Sequence, residues 1–387
     1  IWLNWMRCWR KMIKNKFRFV GMKMEFRLEE IFDLQMGKTP SRNNPDYWKS
    51  EDNKWISIAD LSKCGKYIEN TKEYLSDLAV EESGISCIPE NTVVMSFKLS
   101  IGKTAITSEP MFSNEAIMSF RDKKVIDILP DYVYYMFLGK DWDEGTNKAV
   151  MGKTLNKAIL SKIKVNIPDV ETQRSAVVVL DKVTKIITDR KAELEKLDEL
   201  IKARFVEMFG NFVYERDRWN VCKIGDVADT IDPQPSHRTP PISPDGIPYV
   251  GIAECNYRTR YIDFEKARKV GQNVLREHTK RYTLDEGDFI IGKIGTIGKP
   301  FFIPAEQTYT LSANTVLIKP IKGKVVPQYL YAVFQSEYMD RIIDAEKKST
   351  SQPAFGIQKV RRIEIPMPPL ELQKQFETFV AQADKSK

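Results

Sequence analysis

The chain has 387 residues, 42% apolar and 29% charged, enough for two or three domains of ordinary globular composition. No run of eighteen apolar residues marks a membrane span, and five scattered cysteines without a C-x-x-C pair suit reduced thiols in a cytoplasmic protein. With only two histidines, His237 and His278, zinc sites and Ser/His/Asp catalysis are poorly supplied, so neither metal ligands nor catalytic residues are expected.

Residues 1–23 hold Arg7, Arg10, Lys11, Lys14, Lys16, Arg18 and Lys23 and no acid, which accounts for the whole net charge of +7. The remainder balances, so a nucleic-acid surface has to come from local placement and not from global charge. Trp2, Trp5, Met6 and Trp9 fall at helical spacing, as in a membrane-surface helix. The natural-looking start MEFRLEEI at Met24 favours instead a non-core extension over 1–23, processed or upstream of the fold.

From Met24 to Pro168 the pattern is that of a mixed α/β domain. Apolar, β-branched runs predict strands at 55–59 and 92–97. A tight turn containing Gly102 comes next, and Pro130 opens a short helix, PDYVYYMF, with its aromatic residues on one buried face. The loop GKTPSRNNPDYW carries the polar residues.

After Pro168 the character changes. Residues 169–210 contain neither Pro nor Gly until Gly210, and Leu180, Ile187, Leu194, Ile201 and Met208 recur every seven residues. This is the packing seam of a long coiled-coil helix, roughly 58 Å from Glu171 to Phe209 at ~1.5 Å per residue. Gly210 is placed to stop it.

Residues 211–368 then repeat the first domain. WISIAD (55–60) returns as YVGIAE (249–254), and the I-G-K ending at Lys103 returns at Lys299. PDYVYYMF (130–137) returns as PQYLYAVF (327–334), and IPDVETQR (167–174) as MPPLELQK (367–374). The order is kept, so the chain is two copies of one unit. Strands are predicted at 248–252, 288–292 and 315–318. From 369 to 387 a second coiled-coil helix starts and stays shorter than the first.

The second copy contains GDFIIGKIGTIGK (287–299), most of a phosphate-binding loop. Ile294 stands where a magnesium-ligating Ser or Thr belongs, and the first copy has Asn91, Ser96 and Phe97 in place of Gly287, Gly292 and Lys293. A nucleotide-hydrolysing site is therefore rejected. What both copies keep is Gly102-Lys103 and Gly298-Lys299, a turn glycine with a cation after it.

The LEEIFDL start with its GKTPS loop, the repeated strand-turn-I-G-K, the P-x-Y-[LV]-Y helix and the IP…E-x-Q-[RK] run into a long helix together resemble the specificity (S) subunits of type I restriction–modification systems. The resemblance covers residues 24–387. It implies an α+β fold: two tandem mixed α/β target recognition domains, separated by long conserved helices that pair as an antiparallel coiled coil. Each domain then reads one half of a split double-stranded DNA site, and the helices set the gap. Modification subunits dock on the S subunit, bind S-adenosylmethionine and methylate adenine; restriction subunits add ATP- and Mg-dependent cleavage. The S subunit itself is implied to hold no cofactor and no catalytic residue. The alternative is a repeat scaffold for protein partners alone.

Loop cations fix register on phosphates, and Arg, Asn, Gln, Ser and Thr read base edges. The DNA-binding candidates in the first domain are Lys38, Thr39, Ser41, Arg42, Lys98, Ser100 and Lys103. In the second they are His237, Arg238, Thr239, Lys293, Thr296 and Lys299, with Arg258 and Arg260 alternating on an expected strand. Lys148, Lys153, Ser351 and Gln352 are weaker choices.

Overall fold

The computed structural model describes residues 24–98, 100–142, 155–236, 238–257, 259–294, 296–348 and 355–386. The chain divides into two units, 1–188 and 189–387.

In the first unit, β1 (Met24–Arg27) leads to β2 (Phe32–Met36), β3 (Asn53–Ile56), β4 (Tyr67–Ile68) and β5 (Glu73–Leu75). Then come β6 (Val93–Ser96), β7 (Thr104–Thr107), β8 (Phe112–Ser113), β9 (Ile117–Asp122) and β10 (Lys164–Ile167). Five of these form a sheet in the order β2-β9-β6-β7-β4, and three form a second sheet, β5-β3-β8. β1 pairs antiparallel with β10. Every residue of β6 is buried, as its unbroken VVMS run requires of a central strand. Helix α1 (Pro130–Gly139) lays Tyr132, Val133 and Phe137 onto that core, with Pro130 in its first turn.

A short helix α2 (Lys157–Ser161) precedes the unbroken 40-residue helix α3 (Val170–Phe209).

The second unit repeats the plan. Its strands are β11 (Val221–Lys223), β12 (Ala228–Ile231), β13 (Ile242–Val250), β14 (Cys255–Asn256), β15 (Tyr261–Ile262) and β16 (Arg268–Val270). They continue with β17 (Phe289–Gly292), β18 (Pro300–Phe302), β19 (Thr310–Leu311), β20 (Thr315–Pro320) and β21 (Glu364–Pro366). The main sheet runs β12-β20-β17-β18, flanked by β16-β13-β19. Besides a short helix at Ile224–Val227 and a 12-residue helix at Glu337–Lys348, its helices are α4 (Gln272–Thr279), α5 (Pro327–Phe334), α6 (Ile357–Arg362) and α7 (Leu370–Lys385).

Residues common to the two copies turn out to be joints. The acid that ends WISIAD and YVGIAE closes a helical turn: Ser57 N–H donates to Asp60 at 2.8 Å, and Gly251 N–H donates to Glu254 at 2.8 Å. Strand β3 therefore stops at Ile56 and does not reach residue 59 as its apolar run suggests, because Ser57 caps a helix there. The shared glycines are turn glycines. Gly102 (φ 88°) and Gly298 (φ 70°) donate N–H to Ser96 O at 2.9 Å and Gly292 O at 3.0 Å. A Cβ on Gly102 would come within 2.9 Å of the Trp142 ring, and one on Gly298 would overlap Ile343.

The E-x-Q motif has a structural purpose at both helix starts. Gln173 and Gln373 are fully buried. The Gln173 amide donates to Asp127 O and Pro168 O and accepts from Leu129 N–H, each at 2.9 Å. The Gln373 amide donates to Pro368 O at 2.8 Å and accepts from Val326 N–H at 2.9 Å. Each glutamine thus ties its long helix to the start of the aromatic helix, leaving no buried amide unpaired.

Within the second unit, α3 and α7 run antiparallel. Phe205 and Phe209 both pack on Phe376, at 5.5 Å between ring centroids. Arg204 lies over Phe379, and one arginine, Arg260, reaches both Asp198 and Asp384. Position falls along α3 as it rises along α7, which fixes the direction. Of the seam residues, Ile201 and Met208 are buried here, and Leu180 is buried against Tyr135 in the first unit. Ile187 and Leu194 are half-exposed.

Candidate nucleic-acid interface

In the first unit, three loop segments converge. Gly37 lies so close to Ser113 that a Cβ would overlap its carbonyl. Lys38 N–H donates to Ser113 O at 2.8 Å, and Lys38 O accepts from the Trp55 indole at 3.1 Å. This pins the GKTPS loop beside the 113–116 turn. Thr39 donates to Glu115, and the charges of Lys98 and Arg42 add to that bond, so the Glu115 carboxyl sits below its usual range. Thr39, Arg42 and Lys98 therefore gather around one acid.

The exposed Arg42 fork grips Glu73 and stacks over Trp48, 3.6 Å from its ring centroid. Lys38 is exposed, with its ammonium on Ser83 O at 2.6 Å, and Ser41 is exposed beside it. Ser100 and Lys103 are half-exposed on the glycine turn, where Lys103 donates to Ser62.

In the second unit the equivalent region is a cleft of about 830 Å³ lined by β12, the ends of β17 and β19–β20, and the start of α6. Lys293 does not offer a free cation there. Its side chain is 8% exposed, with the ammonium 2.7 Å from Asp232 and 3.0 Å from Ala313 O. The backbone gives the reason: Lys293 N–H donates to Asn314 O as Phe97 N–H donates to Ala116 O, so Lys293 occupies a core position. Arg260 is corrected too. It lies in a left-handed turn (φ 52°) between β14 and β15, not on a strand, and braces Asp198 and Asp384.

Arg238, Thr239, Thr296 and Lys299 are exposed. Lys299 lies over Tyr257, 4.4 Å from the ring centroid, and Tyr257 OH donates to Lys299 O. His237, Arg258, Lys148, Lys153, Ser351 and Gln352 lie outside the described residues, as does the 1–23 extension.

The loop bearing Arg238 is held from below by His278. This buried ring contacts Gln234 through Nε2 and Thr310 through Nδ1. The Gln234 amide nitrogen is engaged with Ser236 Oγ at 2.9 Å and Arg238 O at 3.3 Å, so its oxygen accepts from His278. That assigns the proton to Nε2 and leaves Nδ1 to accept from Thr310.

Burial, with Arg281 nearby, lowers the His278 pKa from the usual 6.5; Glu277 opposes more weakly. On acidification the unfolded chain takes up this proton first. The His278 contribution is therefore full above about pH 6.5 and is lost as pH falls through the lowered folded value. Between pH 7.5 and 5.5 the melting temperature of the wild-type chain should fall further than that of His278→Gln, measured by calorimetry. Equal falls would mean the histidine is not held neutral.

Among the described residues no cluster of three His, Cys, Asp or Glu could hold a metal, and no helix is long and apolar enough to cross a membrane.

The family model for the type I restriction modification DNA specificity domain matches the chain twice, over residues 21–196 and 216–387. The chain belongs to this family. Among curated specificity subunits, the MjaIX subunit of Methanocaldococcus jannaschii is 28% identical over 220 residues, covering 52% of this chain and 50% of that one. The EcoR124I/EcoR124II subunit of Escherichia coli is 27% identical over 183 residues, 44% of each chain. The match thus spans half or less of these relatives' length. In fold, the specificity-family chain is similar to the S subunit from M. genitalium, with a TM-score of 0.51 at 10% identity over 95% of this chain and 90% of that one. It is similar also to a chain from a structure on complex assembly of the type I R-M system, with a TM-score of 0.50 at 13% identity over 95% and 91%. Both likenesses concern the fold.

Proposed function

We propose that this chain is the non-catalytic DNA-recognition subunit of a type I restriction–modification complex working in the cytoplasm. Each unit reads one half of a bipartite double-stranded site, and the helices set the gap and dock modification subunits. Those subunits would bind S-adenosylmethionine and methylate adenine N6; restriction subunits, where present, would use ATP and Mg. The observation that carries the reading is the duplication: one mixed fold occurs twice, each copy presents loop cations at the same strand ends, and one helix runs unbroken from copy to copy. Two linked readers bind as a bivalent ligand, so each half-site raises the effective concentration of the other.

The exposed Lys38, Arg238, Thr239, Thr296 and Lys299, with Thr39, Ser41, Arg42, Lys98, Ser100 and Lys103, are the DNA-facing residues of this reading; His237 and Arg258 stay candidates with them. Selection from a random duplex library, with and without a modification subunit, should enrich two short motifs at a fixed gap. Lys38→Ala and Lys299→Ala should weaken binding to all sequences alike, and each should lower the salt slope by about one. No enrichment in either arm would favour the protein-scaffold reading.

A further inference from the structure

We infer that Arg281, Asn314 and Gln358 are the base-reading residues of the second unit, an assignment that rests on the DNA-recognition reading above. All three line the 830 Å³ cleft. The other polar groups around it are already engaged. Lys293 is held by Asp232, Arg361 donates to Thr230 Oγ1 and O at 2.7 and 2.8 Å, and Lys359 is paired with Glu346. Arg281, Asn314 and Gln358 are exposed, and their side chains make no hydrogen bond or ion pair among the described residues. Three polar groups at one cleft remain available to a ligand.

The duplication provides an independent comparison. Val360 N–H donates to Gly356 O as Leu160 N–H donates to Asn156 O, which aligns Gln358 with Ala158. Thr315 N–H donates to Ser312 O as Ile117 N–H donates to Asn114 O, which aligns Asn314 with Ala116. The backbone is thus the same in both copies, while the amides stand only in the second. Side chains that hold the fold recur, as Gln173 and Gln373 do. Side chains that differ, face solvent and make no hydrogen bond among the described residues are where two copies of one frame acquire different specificities.

The chemistry names what they read. An asparagine or glutamine amide pairs bidentately with N6 and N7 of adenine in the major groove, and an arginine fork pairs with O6 and N7 of guanine. The half-site of the second unit should therefore include purine positions of both kinds.

The test uses the full chain and random duplex DNA. Asn314→Ala and Gln358→Ala should each reduce discrimination for adenine at one position by roughly tenfold, and Arg281→Ala that for guanine at another. The first half-site should stay unchanged. All three residues are exposed, so thermal melts should match wild type, and Asn314→Asp gives a second variant that keeps size while refusing the adenine pair. A loss spread evenly over all sequences, or unchanged preferences, would overturn the assignment while leaving the recognition reading intact. A wild-type chain that enriches no motif would sink both.

Discussion

Inserting seven residues between Thr188 and Asp189 should lengthen the gap of the selected DNA motif and leave both half-sites as they were. The reason is mechanical. Residues 170–209 form one helix, so an insertion adds rise along its axis and a rotation about it. Seven residues add about 10 Å and, at 3.6 per turn, return within about 20° of the original face. The seven-residue seam is kept in phase. The insertion also lies ahead of the segment, Asp198 to Phe209, that packs on α7, so the antiparallel contact survives. At ~3.4 Å per base pair, the gap should grow by roughly one to three base pairs. A three-residue insertion turns the downstream part of the helix by about 60° and should weaken binding to every motif. Selection with the two insertions separates these cases, and an unchanged gap with seven residues would show that the helix is not the ruler.

Range decides how much of this molecule is legible in its sequence. The duplication, the long helix and the turn glycines rest on local spacing, which survives in one dimension. The E-x-Q glutamines were visible as a repeated motif, but their clip joins residues some fifty apart, so their purpose was not. Lys293 shows the same limit more sharply. Read locally, it is a loop cation after two glycines; in the fold it stands where Phe97 stands and meets an acid sixty-one residues away. Arg260 likewise reaches two aspartates, one of them 124 residues on. The alternation in NYRTRY could not show a left-handed turn. Asn314 and Gln358 sat in unremarkable stretches, and only the aligned backbones of the two copies set them beside Ala116 and Ala158. The readable signal there was a difference between repeats, whereas motif search finds identity.

The Lys293–Asp232 pair carries the second large effect. Both side chains are well below one-third exposed, at 8% and 15%, so water screens the pair little. Asp232→Ala leaves a buried ammonium with the Ala313 carbonyl as its remaining partner, and should cost about 3–5 kcal/mol of stability in the second unit. In the first copy Phe97 fills the place of Lys293 without charge, while Met36, 47% exposed, takes the place of Asp232 nearer the surface. Met36 stands opposite Met118 in β2–β9, and Asp232, the residue just past β12, comes to the matching place beside β20; Phe97 stands at Lys293. The double replacement Asp232→Met with Lys293→Phe should therefore regain most of the loss, because exchanging a buried ion pair for apolar side chains is often neutral or stabilising. Denaturant unfolding of the two variants measures the difference, and Asp232→Ala melting like wild type would remove the buried-pair account. DNA selection on the double variant then decides the role of Lys293. Retained half-sites confirm a structural cation. A stable double variant that has lost the second half-site would return Lys293 to the DNA surface, since removal of a spent charge cannot alter which bases are read.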